Sequence, residues 1–96
     1  MRFDAGGASC VVEQLWPGIN IELATAQLEH LVRVASNLPV DRRPEVLGAT
    51  LIPDDETLFT WCAAPSTESV QELFTTLDIH VDRVLPVVHA IVGRNS

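Results

Sequence analysis

The chain has 96 residues, with 13 acidic side chains against six arginines and no lysine, a formal charge of −7 and 47% apolar residues. That length makes one domain, too apolar for a disordered segment and large enough for a core without disulfide or metal staples. The acidic balance argues against nucleic acid, because phosphate binding needs a cationic surface, and no apolar run approaches the ~20 residues that cross a bilayer.

Residues 1–8 read as a flexible lead-in, 9–93 as the domain and 94–96 as a tail. Asp4, Gly6 and Gly7 stand where a signal peptide would carry its apolar stretch. Cys10 and Cys62 are too few and too far apart for a disulfide scaffold. A cytoplasmic location with both thiols reduced is the expectation. Residues 9–16 are β-branched and apolar and stop at Pro17-Gly18, which predicts a strand. Asn20 then suits a helix N-cap, with Glu22 favourable at the positive helix end. Ala24, Leu28, Leu31, Val32 and Ala35 form the apolar stripe of that helix, and Asn37 with Pro39 ends it.

After a polar connection at 40–45 come two apolar runs, Val46 to Ile52 and Thr57 to Ala64. Pro53-Asp54-Asp55-Glu56 between them is hairpin chemistry, three acids in a hydrated turn. Pro65 breaks the second run, and Ser66 or Thr67 caps a helix with Val70, Leu73, Phe74 and Leu77 on one stripe. A last strand is expected from Val84 to about Val92. Pro86 cannot donate to a ladder, so that strand belongs at a sheet edge or carries a bulge.

The order strand, helix, strand, strand, helix, strand predicts a ferredoxin-like α+β sandwich. The first and third strands lie in the middle of a four-stranded antiparallel sheet, with two helices on one face. The other face ought then to be polar. It is not: Val11 and Leu15 oppose Val12 and Trp16, Phe59 and Trp61 oppose Leu58 and Cys62, and Val87 and Ile91 oppose Val88 and Val92. Burying each large apolar side chain stabilises by roughly 1.5–3 kcal/mol. A homodimer packed sheet against sheet is therefore expected; a shorter sheet covered by the lead-in is the other reading.

The stretches Val11-Val12-Glu13-Gln14-Leu15-Trp16-Pro17-Gly18, Phe59-Thr60-Trp61-Cys62-Ala63-Ala64-Pro65-Ser66 and Val81-Asp82-Arg83-Val84 resemble a family of small bacterial proteins. It is catalogued mainly as a domain of unknown function and includes an actinobacterial nickel-binding protein. The similarity spans residues 9–92. It implies a ferredoxin-like fold, a tendency to dimerise, and nickel as the cofactor to consider. Where members often carry His, Cys and Glu, this chain has Gly48, Thr60 and Ala63; Glu13 is retained.

Candidate chemistry is sparse. Asp78, His80 and Asp82 alternate, so in an extended segment they would share a side and offer a weak divalent-metal site. The same stretch also reads as a solvated connection with Asp82 paired to Arg83. His89 lies among apolar positions, as an interface histidine or a ligand, and His30 is on the polar side of its helix. Glu13, a carboxylate on a central strand, must be paired, hydrated or protonated; it is either a cleft acid/base or the partner of an arginine such as Arg83. Cys10 and Cys62 are expected on neighbouring strands but opposite faces, buried and inert. No phosphate-binding glycine loop, nucleophile elbow or metalloprotease helix is present.

Two functions follow. The first is a non-enzymatic homodimer whose inter-sheet cleft, lined by Glu13, Trp16, Trp61 and His89, takes a small apolar ligand or a nickel-type metal, the family's ligands being partly lost. The alternative is an enzyme of the dimeric α+β barrel type, monooxygenase- or isomerase-like, with an apolar pocket between the sheets.

Overall fold

The chain turns where its sequence offers a cap or a proline, and each turn can be assigned a cause. The computed structural model describes residues 8–87. Its elements are β1 (Ala8–Leu15), α1 (Ile21–Ala35), β2 (Glu45–Ile52), β3 (Thr57–Ala64), α2 (Thr67–Thr76) and β4 (Arg83–Val87). The sheet runs β2-β3-β1-β4, and every neighbouring pair is antiparallel. This is the ferredoxin-like sandwich that the element order predicts. Among the described residues β4 is an edge strand, where a proline that cannot donate to a ladder is tolerated.

Trp16, Pro17, Gly18 and Ile19 form a reverse turn closed by Ile19 N–H to the Trp16 carbonyl at 3.1 Å. Pro17 presets its own φ, and Gly18 at φ 81° supplies the left-handed residue that a type II turn requires next. Asn20 caps α1 by accepting from Leu23 N–H at 2.8 Å, and Ser66 does the same for α2 from Ser69 N–H at 3.2 Å. α1 ends at Ala35, with Ser36 rather than Asn37 as its C-cap. The 40–45 connection holds a single tight turn, Val40–Arg42.

Cys10, Val12, Cys62 and Ala64 from the two central strands pack against Leu31, Ala35, Val70, Leu73 and Phe74 from the helices. That is the single core of the described residues. Leu28 is half-buried, but Val32, expected on the same stripe, is exposed. Gln14 reaches the core side buried and accepts from Gln27 of α1 at 2.7 Å. In β2 the register slips between Val46 and Gly48, making Leu47 the extra residue of a bulge on an edge strand.

Register corrects one expectation. Setting a run of 9–16 against 57–64 places Cys10 and Cys62 on opposite faces. β1 in fact begins at Ala8 and pairs Cys10 directly with Cys62, so both face the helices. A slip of one residue moves every side chain of a strand to the other face.

Thr60, on the core side of β3, is fully buried, and its hydroxyl has no hydrogen-bond partner among the described residues. An unsatisfied buried polar group costs roughly 1–3 kcal/mol. Thr60→Val keeps the shape and removes the hydroxyl. It should raise unfolding stability by about 1 kcal/mol, read as a higher urea midpoint at unchanged slope.

Candidate functional site

The face of the sheet away from the helices is built from the alternate residues of each strand. β1 contributes Ser9, Val11, Glu13 and Leu15; β3 contributes Thr57, Phe59, Trp61 and Ala63; β4 contributes Arg83, Leu85 and Val87. Gly48, Thr50 and Ile52 extend it on β2. Val11 sits opposite Trp61 on one side and Leu85 on the other. Leu15, at 59% exposure, is the most open large apolar residue of this face. The Trp61 indole N–H donates to the Thr50 hydroxyl at 3.2 Å, which fixes the ring along β2.

Glu13 lies in the middle of this apolar face and is not left bare. Arg83 is its ladder partner on β4, and the guanidinium Nε donates to Glu13 Oε1 at 2.6 Å. The Glu13 carboxylate in turn raises the Arg83 pKa through that hydrogen bond and its charge. Of the two roles open to Glu13, the paired one is the arrangement found. Arg83 therefore turns to Glu13 and not to Asp82.

Asp82 has a different task. Its backbone N–H donates to the Glu13 carbonyl at 2.9 Å, and its carboxylate accepts the Leu15 N–H at 2.6 Å. His80 meets the other carboxylate oxygen at 3.3 Å. The Leu15 amide first, and His80 second, hold the Asp82 carboxyl below its usual range. A single residue thus ties the approach of β4 to the end of β1.

Asp78 is not part of this cluster. It takes a left-handed φ of 57° just after α2, where its N–H donates to Thr75 and Ile79 N–H donates to the Phe74 carbonyl, both at 2.9 Å. That is a Schellman cap, with Ile79 packed back onto the core. The expected shared side of Asp78, His80 and Asp82 fails here because a residue in the left-handed region breaks the strand-like alternation. An apolar helix stripe followed by Asp and then Ile was the available signal. Among the described residues, no group of three or more His, Cys, Asp or Glu is placed to hold a metal ion.

Of the expected cleft residues, Glu13 and Trp61 share the open face. Trp16 lies one residue past β1, in the turn held by its N–H to the Glu56 carbonyl at 2.7 Å, so the ladder does not carry it onto that face. His89, with Val88, Ile91 and Val92, lies outside the described residues. Leu85, overlooked in the sequence, fills the gap beside Val11. Gly48 and Ala63 are on the open face while Thr60 is in the core, so these three positions do not converge.

No protein-family model, curated protein or solved structure matches the chain.

Two outcomes follow from this geometry. Asp82 has a folded pKa below the ~3.9 of an unfolded aspartate, so its contribution is full above that value and fades as pH falls through the folded one. Asp82→Asn should flatten the loss of melting temperature between neutral pH and about pH 3, compared with the parent. Second, titration of the protein with Ni²⁺ should give no stoichiometric submicromolar binding by calorimetry, since no imidazole, thiolate and carboxylate converge among the described residues.

Proposed function

We propose that the chain is a non-enzymatic ferredoxin-like module that works as a homodimer, its open sheet face set against that of a second copy. The cleft between the sheets, framed by Glu13 and Trp61, is the place for a small apolar ligand. The observation that carries this reading is the two-sided apolar sheet. The helices cover the Cys10, Val12 and Cys62 side, yet Val11, Phe59, Trp61, Leu85 and Val87 occupy the other. On that side Val11 is buried, Phe59, Trp61, Leu85 and Val87 are half-buried and Leu15 is exposed, and apolar surface of that extent is rarely left even partly to water.

Charge favours a second copy as the occupant. Two chains of net charge −7 repel one another over most of their surfaces. In the middle of this face the Glu13 carboxylate is matched by Arg83, and the other carboxylate of the face, Glu45 opposite Ala63, stands at the far edge on β2, so the centres of two such faces meet without like charges opposed. A two-fold axis would make the patch its own complement.

The pairing of Glu13 supports binding over catalysis. A general base has to reach the substrate proton, and here the carboxylate is committed to a guanidinium at 2.6 Å. The family resemblance points the same way on assembly. By light scattering the protein should show twice its 10.5 kDa chain mass, and Trp61→Glu should return it to a single chain with unchanged far-ultraviolet dichroism. A parent that stays at one chain mass at high concentration would sink the reading; a retained small molecule in native electrospray spectra would identify the ligand.

A further inference from the structure

Cys10 and Cys62 carry an inference that stands apart from the open face. They are direct partners in the antiparallel ladder between the two central strands. Both are reduced, both belong to one buried cluster, and each is 1% exposed. Directly opposed residues in such a ladder have Cα atoms ~4.5–5.5 Å apart, inside the ~4.4–6.8 Å span that disulfides occupy. The fold therefore brings together two thiols that are remote in sequence, at a backbone separation that a disulfide can span.

Reactivity in the closed sheet is low. Burial pushes both thiols up, Cys62 to about 12 with Cys10 beside it adding to the shift. The thiolate is the nucleophile, so exchange waits on folding or on local opening of the strands. We propose that Cys10 and Cys62 are a disulfide-forming site, closing a cross-strand bond when the chain folds or opens in the presence of oxidised glutathione.

The step balances. One cysteine thiolate attacks a sulfur of oxidised glutathione, breaking that S–S bond and releasing one glutathione thiolate. The other cysteine then attacks the protein-side sulfur of the mixed disulfide, forming the Cys10–Cys62 bond and expelling the second glutathione. The two cysteine protons end on the departing thiolates; the cysteines lose two electrons and oxidised glutathione gains them. A bond between strands already paired constrains the unfolded chain more than the folded one.

The test compares folded and urea-unfolded protein equilibrated in graded mixtures of reduced and oxidised glutathione, then acid-quenched for intact mass. The expected product is the chain lighter by two hydrogen atoms, formed by the folded protein at a ratio at least about tenfold more reducing than the unfolded chain needs. Its melting temperature should exceed that of the reduced form and fall back with dithiothreitol. Cys10→Ser and Cys62→Ser should each yield at most a single glutathione adduct and no such gain. A folded protein that needs an equally or more oxidising mixture, or that yields adducts or linked copies in place of the internal bond, would overturn the assignment.

Discussion

The register of β1 against β3 is the constraint on which the rest of this structure depends. Ala8 opposite Ala64 and Leu15 opposite Thr57 fix which side chains face the helices and which face away. Because the side-chain period of a strand is two, that choice is all or nothing. With Cys10 and Cys62 opposed in the core, Val11 and Trp61 are opposed on the far side. β4 then takes its own alignment from β1, which brings Arg83 to Glu13. The core, the open face and the thiol pair follow from the first alignment, and the ion pair from the second.

At the Leu15 end of β1 the ladder is closed by side chains as well as by backbone. Asp82 completes the sheet by accepting from Leu15 and donating to Glu13. Arg83, the next residue, neutralises Glu13. These neighbours in sequence serve different ends: Asp82 satisfies an amide at a strand terminus, and Arg83 lets a charge sit among apolar side chains. Removing either leaves a polar group without its partner, which is the costly way to lose a hydrogen bond.

Much of the architecture was legible because it rests on local chemistry. Asn20 and Ser66 as caps, Pro53 to Glu56 as the turn and Pro86 on an edge strand all follow from what each residue permits its own backbone. The second apolar face was legible too, since alternation in β1 and β3 survives small errors at the strand ends. Relations between strands were harder to read. The Cys10–Cys62 contact depends on a single residue at the start of β1, and strand ends are the least determined feature of a sequence. Asp78 was misread because a left-handed cap residue looks like any other exposed acid until the helix end beside it is known. Asp82 gives no local sign that its partner is an amide 67 positions away.

Glu56 joins two loops that belong to different parts of the chain. Its carbonyl receives Trp16 N–H and its carboxylate receives Gly18 N–H at 2.8 Å, from a residue whose own φ is 49°. The β2–β3 hairpin and the β1–α1 corner are therefore spliced into one unit. An insertion at either loop would cut the stitch for both, so this end of the molecule is poor ground for grafting a foreign peptide. Evolution of loop length here has to proceed in the two segments together.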